Sequence, residues 1–301
     1  ERLTVIAGGR YNYAHAAAKA ENIDPNPSDA LAYEDLSESF EALVGSGRAL
    51  YRLTDHLSPF AGVSQGFRAP NLSDLTRFDA ARSGEQEIPA TGLDPERFIS
   101  YEGGLRGRWD RWGGSVSYFY TDIQDMIVRT PTGDLASNGD IIVRKDNAGD
   151  GYLHGVELAL DWNLRKGWTA FGTFSWMDGE VETWVDGTTK RMEPISRIPQ
   201  TQFLLGLRWD SEDRKYWAES TLRIALEQDH LSPEDKLDTQ RIPPGGTPGY
   251  QLWGLRGGVR LKEKLSLFAG VENITDEDYR VHGSGVNGPG TNFVGGLELR
   301  M

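Results

Sequence analysis

The sequence predicts an all-β chain, a portion of an antiparallel transmembrane β-barrel with about twelve strands, short periplasmic turns and long extracellular loops. Three observations predict it. Apolar and polar residues alternate with period two along most of the chain, the connections between the alternating runs are short and long by turns, and tryptophans gather beside the short ones. Alternation follows from strand geometry, in which successive side chains point to opposite faces. A half-buried strand of a soluble sheet alternates in the same way, so the connections and the aromatics must decide between the two.

The runs can be taken in order. Arg2–Ala17, Phe40–Thr54 and Ser58–Arg68 come first, followed by Phe98–Trp109. Trp112–Arg129 sets Trp112, Gly114, Val116, Tyr118 and Tyr120 on one parity and Ser115 and Ser117 on the other. In Gly149–Leu164, the residues Val156, Leu158, Leu160, Trp162 and Leu164 oppose Glu157, Ala159, Asp161 and Asn163. Trp168–Glu180 follows, then Gln200–Trp209, where Phe203, Leu205, Leu207 and Trp209 share a parity and Arg208 takes the other. Lys215–Gln228, Tyr250–Leu261, Lys264–Thr275 and Thr291–Met301 complete the set. The last carries Phe293, Gly295, Leu297, Leu299 and Met301 against Glu298 and Arg300.

The short connections read DHLS, DR, RKG, DSEDR and KE. The long ones include NIDPNPSDALAYEDLSES, NLSDLTRFDAARSGEQEIPATGLDPER and DHLSPEDKLDTQRIPPGGTP. Short turns at one rim and long loops at the other belong to outer-membrane barrels, whereas sandwiches mix loop lengths at both ends. Trp109, Trp112, Trp162, Trp168, Trp209 and Trp217 flank the short turns, where an interfacial aromatic girdle sits. On this reading Val156 to Leu164 faces lipid, and Glu157, Asp161 and Asn163 face a wet or plugged interior.

Composition agrees. The 301 residues are 38% hydrophobic, and no apolar run approaches the ~20 residues that a membrane helix needs. A barrel escapes that requirement, because half of each strand faces a polar lumen and the mean hydropathy, here −0.51, resembles that of a soluble protein. The net charge of −13 argues against a nucleic-acid partner, which demands a basic face. There is no cysteine, so thiol nucleophiles, zinc thiolates and disulfides fall together. Glu1-Arg2-Leu3-Thr4-Val5 already reads as strand, so an export signal is expected outside these residues.

Six segments, in order, resemble the C-terminal barrel half of TonB-dependent outer-membrane receptors. SQGFRAPNLSDL (Ser64–Leu75) is similar to the family's phenylalanine-arginine-alanine-proline segment, here Phe67, Arg68, Ala69 and Pro70. LDPERFISYEGGLRG contains Glu102, and NAGDGYLHGVELALDWNL contains Gly155 and Glu157. YFYTDIQDMIV and RIPQTQFLLGLRW are similar to further segments. GVENITDEDYRVHGSGVNGPGTNFVGGLELRM resembles the closing hairpin, with Asn273, Asp276, Tyr279, Pro289 and Gly290 at its motif positions. Residues 1–60 match only in general style, and Met301 departs from the aromatic residue with which such barrels usually end.

The resemblance implies that residues 1–301 are the C-terminal half of such a barrel, in the outer membrane of a Gram-negative-type bacterium. The plug domain and the TonB-contacting segment are expected outside this chain. It implies uptake of a scarce nutrient (an iron-siderophore, haem, cobalamin or similar) without bond chemistry. The partners implied are outer-membrane lipid and lipopolysaccharide, the plug and N-terminal barrel half in the same or another chain, and, indirectly, a TonB-type energising complex. Glu102 and Glu157 fall where the family keeps polar groups against its plug, and Asp161, Arg208, Glu219, Arg223 and Arg256 are further lumen-facing candidates. Three arrangements stay open: a fragment, one chain of a split receptor, or a barrel closing at twelve strands. An open half barrel would leave two unpaired edges in lipid. The alternative function is a structural or interaction barrel without transport. A soluble β-rich hydrolase requires a chain that stays monodisperse without detergent.

No catalytic, cofactor-binding or metal-binding residue is expected. His15, His56, His154, His230 and His282 have no ligand spacing. The family's haem receptors carry an asparagine-proline-asparagine-leucine segment where this chain reads IPATGLDPER, which speaks against haem. The acidic turns lack the spacing of a calcium loop, and no helix follows GSGVNGPG to make a phosphate site.

Overall fold

The structure, a computed structural model, describes residues 2–19, 35–82, 84–185, 188–262 and 264–299. β1 (Leu3–Ala18), β2 (Leu36–Tyr51) and β3 (Leu57–Arg68) are followed by a short helix α1 (Leu72–Thr76) and two small strands, β4 (Asp79–Arg82) and β5 (Glu85–Ile88). Then come β6 (Glu96–Arg108), β7 (Trp112–Leu135), β8 (Ile141–Arg165), β9 (Trp168–Trp184) and the short β10 (Lys190–Pro194). β11 (Gln202–Asp210), β12 (Tyr216–Ala225), helix α2 (Pro233–Leu237), β13 (Tyr250–Lys262), β14 (Leu265–Glu272) and β15 (Asn292–Leu299) complete the described elements.

The large strands pair in chain order, β1-β2-β3-β6-β7-β8-β9-β11-β12-β13-β14-β15, every neighbour antiparallel. All twelve expected strands are therefore present, with short turns at one rim and long connections at the other. Among the described residues β1 and β15 each pair on one side only, so the sheet keeps two open edges and does not close at twelve strands. Met301 and Arg300, and most of the connection between β1 and β2, lie outside the described residues.

The sequence reading is corrected in three places. β7 and β8 do not stop near Arg129 and Gly149: they continue as one hairpin to Leu135 and from Ile141, turning at Ala136–Asp140. The run Ile141-Ile142-Val143 is apolar and β-branched, but the glycine and aspartate residues around it read as loop. Second, β5 adds to β8 in parallel, and β4, β10 and both helices arise inside segments expected to be loop. Third, Trp217 does not join the lipid-facing girdle. It pairs with Gly258 on the polar face and carries the Arg208 guanidinium 4.6 Å above its ring.

Cross-strand partners share a face, so the registers define the two faces. One carries Leu105, Val116, Leu158, Phe174 and Phe203 in a row of paired positions, with Ile224 next. Trp112, Leu160, Trp162, Leu205 and Leu297 on the same face are exposed, as lipid-facing residues must be. Its aromatics form two bands. Trp112, Trp162, Trp168 and Trp209 lie by the short turns, while Tyr101, Tyr120 and Tyr152 lie toward the loops. Along β8, the stretch from Tyr152 in the loop-side band to Trp162 in the other covers ten steps, about 33 Å of strand. At a tilt of ~40° that is about 25 Å of membrane thickness, the height of an outer-membrane apolar band.

The opposite face is built on glycine–aromatic pairs. Phe60 lies over Gly104, Phe119 over Gly155, Phe171 over Gly206 and Phe268 over Gly296. A Cβ on Gly206 would sit 2.1 Å from Phe171 Cζ, so the ring occupies the space a side chain would need.

Candidate functional site

The face carrying those glycines is also the polar one. Glu102 accepts from Arg48 at 3.2 Å, and Asp161 from Arg108 at 2.7 Å. Arg208 donates to both oxygens of Asp210 and, at 3.5 Å, to Glu219, its cross-strand partner. Glu219 in turn lies opposite Arg256, which donates to Glu272. Glu157 and Arg223 share this face, are exposed and form no ion pair among the described residues. Most of these pairs are open to solvent and each contributes at most about 1 kcal/mol. Their larger effect is to keep a wall of alternating charge wet.

At the long-loop rim the connections fold onto this face and are held by buried polar groups. Arg68, at the end of β3, donates twice to Glu96 at the start of β6 and once, at 2.8 Å, to Asp74 of α1. Asn71 caps α1: its Oδ1 accepts from the Asp74 N–H, and the Asp74 carboxylate accepts from the Asn71 N–H. Burial pushes the Asp74 carboxyl up, but the Asn71 N–H, Arg68 and Lys145 outweigh it and hold it below its ordinary value. Phe67 and Ala69 pack against a cluster of Ala16, Phe40, Leu75, Ala90, Leu93 and Ile127, and Pro70 is buried. The described residues of the 69–95 connection thus cover the rim ends of β1 and β2, through Leu75, Ala90 and Leu93 against Ala16 and Phe40. Within it Glu87 is wholly buried and accepts from Arg129 at 3.0 Å.

A second group ties three connections together. The Asp235 carboxylate accepts from Ser196 Oγ at 2.7 Å, from the Arg197 N–H at 3.1 Å and approaches His282 Nε2 at 4.0 Å. His282 Nδ1 lies 2.8 Å from Thr247 Oγ1, and the His282 N–H donates to Gln200. The Asp235 and His282 side chains are each 2% exposed. Burial lowers the His282 pKa, Asp235 opposes that and Arg197 adds to it, so the ring rests neutral at pH 7.

The closing segment is folded by its own motif residues. Asn273, buried with a left-handed φ of 49°, donates to the carbonyls of Glu277 and Pro289 and accepts from the Glu277 N–H. Asp276 accepts from the Thr291 N–H and fills the space beside Gly290. Tyr279 covers Gly288 and packs against Tyr250, with ring centroids 4.8 Å apart. Gly155 lies under Phe119. The motif positions are therefore divided between two jobs, shaping the polar wall and folding the rim.

Sequence reasoning missed Glu87, Glu96, Arg129, Asp235 and the buried role of His282. One signal was available for Asp235: Ser232-Pro233 followed by two acidic residues is a helix start, and Ser232 Oγ does accept from the Asp235 N–H. Among the other histidines, His154 sits on the apolar face between Tyr118 and Trp176, and His230 pairs with Asp178. His15 is bonded to Ser39, and His56 stacks on Trp109 at the short-turn rim.

A meander with one apolar girdled face, one charged face and ordered loops at a single rim is part of a transmembrane barrel. The family model for the TonB-dependent receptor-like β-barrel matches residues 1–274. The chain belongs to that family. It is 24% identical over 298 residues to the ferric enterobactin receptor PirA of Pseudomonas aeruginosa, covering 91% of this chain and 39% of the relative. It is also 24% identical over 306 residues to the hemoglobin-haptoglobin utilization protein B of Neisseria meningitidis, covering 93% and 37%. The chain thus spans about two-fifths of the length of these curated relatives. Among solved structures, the copper transporter OprC superposes with a TM-score of 0.74 at 19% identity, over 99% of this chain and 45% of that one. The Serratia marcescens hemophore receptor HasR, in complex with its hemophore and heme, gives 0.68 at 21%, over 100% and 49%. At these identities the structural likeness speaks to the fold.

Proposed function

We propose that this chain forms the C-terminal part of the barrel of an outer-membrane receptor that captures a scarce nutrient at the long-loop rim. The solute passes along the charged face when an energised partner displaces a plug supplied by residues outside this chain. The observation that carries the reading is the 69–95 cover, held by Arg68, Glu96 and Asp74 above a wall of paired and unpaired charges. An ordered rim can present a binding surface, and a wet charged wall lets a polar solute and a removable plug slide past. On this reading Glu102, Glu157, Asp161, Arg208, Glu219, Arg223 and Arg256 meet the plug or the solute. Phe67, Arg68, Ala69, Pro70, Asn273, Asp276, Tyr279, Pro289 and Gly290 keep the rim folded.

The test is uptake of a panel of labelled ferric siderophores, haem, cobalamin and copper by cells with and without the receptor that contains this chain. Uptake of one solute that requires both this receptor and the energising complex supports transport. Equal uptake of every solute in both strains sinks it and leaves the reading of a structural barrel.

A further inference from the structure

We propose that the short-turn rim carries a site for one anionic phospholipid of the adjacent leaflet. Its head group would lie among Arg111, Arg165, Lys166 and Arg214, and an acyl chain would lie in the apolar groove between Leu160 and Leu205. The inference rests on the strands spanning the membrane, and not on which solute the receptor carries.

The four cations line one open cavity of about 910 Å³, formed by the β6–β7, β8–β9 and β11–β12 turns. All four are exposed, and among the described residues none forms an ion pair. Two carboxylates share the lining, Asp210 and Glu212. Asp210 is already neutralised by two hydrogen bonds from Arg208, at 2.9 and 3.0 Å. Four free cations therefore face one free acid, an excess that suits an anionic head group better than a zwitterionic one, whose ammonium would have only Glu212 to meet.

The walls are held in place. The Asn163 N–H donates to the Arg111 carbonyl at 2.6 Å, and the Asp210 N–H to the Gly167 carbonyl at 2.9 Å. Gly167, with φ +84°, comes so close to the neighbouring turn that a Cβ would lie 2.0 Å from the Asp210 oxygen. Three turns thus form one piece of rim.

An apolar groove of about 480 Å³ lies on the lipid-facing side next to this cavity, walled by Trp112, Trp162, Leu160 and Leu205. Its floor is Ala170 and Gly172, and Leu160, Gly172 and Leu205 are consecutive cross-strand partners. Cavity and groove meet at the tryptophan band: Trp168 lines the one, Trp162 the other, and Arg165 pairs with Trp168. Charge below the interface and a carbon-lined slot above it reproduce the polarity of a phospholipid.

The test is native mass spectrometry of the receptor, stripped of lipid in detergent and then titrated with phosphatidylglycerol or phosphatidylethanolamine of identical chains. The wild-type protein should retain phosphatidylglycerol with roughly tenfold preference, and half-molar salt should remove that preference. The variant R111Q/R165Q/K166Q/R214Q should bind the two lipids within about twofold. Ala170→Phe, which fills the groove, should weaken both lipids while keeping the preference. K262Q/K264Q, at a different basic turn, should behave as wild type. Equal retention of both lipids by the wild-type protein, or a preference insensitive to salt, overturns the proposal without any variant. An equal loss in K262Q/K264Q would also overturn it, by showing diffuse rim charge in place of a site.

Discussion

Arg68 and Glu96 face each other across β3 and β6 and close as a fork: Nε and Nη2 of the guanidinium each donate to one carboxylate oxygen, the Nη2 bond measuring 2.7 Å. Glu96 is buried and also accepts from the Ile127 N–H at 2.9 Å, so one carboxylate joins β3, β6 and β7 where the loop cover begins. Glu96→Ala should therefore leave a buried N–H and one arm of Arg68 without partners. Removing one member of a buried pair costs about 3–5 kcal/mol, and the 40% exposure of the Arg68 side chain reduces this to about 1–3 kcal/mol. Amide exchange should accelerate across residues 69–95 while β12 to β14 stay protected. Unchanged exchange in the cover would show that the fork does not hold it.

Gly155 and Gly206 lie under aromatic rings, whereas Gly103 and Gly47 have open space where a Cβ would go. Gly155→Val should meet Phe119 Cζ at 2.6 Å and the Trp176 carbonyl at 2.4 Å, with a cost of at least about 2 kcal/mol. Gly103→Ala should fall within about 0.5 kcal/mol of wild type. Urea midpoints in detergent micelles compare them, and equal midpoints would contradict the packing.

Val116 lies midway between Trp112 and Tyr120 on the apolar face, and Ser117 next to it points to the polar one. Val116→Arg places a charge near the bilayer midplane and should cost about 2–4 kcal/mol in lipid, while Ser117→Arg should be nearly neutral. Folding yields into liposomes, read as heat-modifiable mobility, should drop for the first only. The reverse order would mean that the faces have been assigned backwards.

His282 supplies a pH dependence. Its pKa is lowered in the folded protein, chiefly by burial, with Asp235 opposing and Arg197 reinforcing the shift. The folded state then binds fewer protons than the unfolded one. The stability it contributes is present above the unfolded value of about 6.5 and is lost as pH falls through that value toward the folded one. Protection factors at residues 196–200, 232–238 and 281–285 should fall between pH 7.5 and 5.5 more in wild type than in His282→Gln. Parallel profiles would remove His282 from that role.

Much of the fold was legible because a strand in a barrel meets lipid on one side and water on the other at every second residue. Val156 to Leu164 records both environments locally, without reference to any other strand. The closing segment was legible only through its resemblance to the family's closing hairpin, and its residues Asn273, Asp276 and Gly290 act on neighbours within the same loop. The extension of β7 and β8 was not, because strand pairing above the membrane needs no alternation and Gly139, with φ +88°, marks only the turn between them.

By itself the sequence determined the twelve strands, their two faces and the rim at which the long loops gather, since each follows from residue-by-residue partition between apolar and polar surroundings. Only the tertiary structure decided that Asp235 meets His282, that Glu96 serves three strands, that Trp217 turns inward over Gly258, and that Arg111, Arg165, Lys166 and Arg214 share one cavity. Those relations join residues far apart in the sequence, and strand pairing together with the packing of the long loops brings them together. No local pattern encodes a contact whose partners are selected by neighbouring strands.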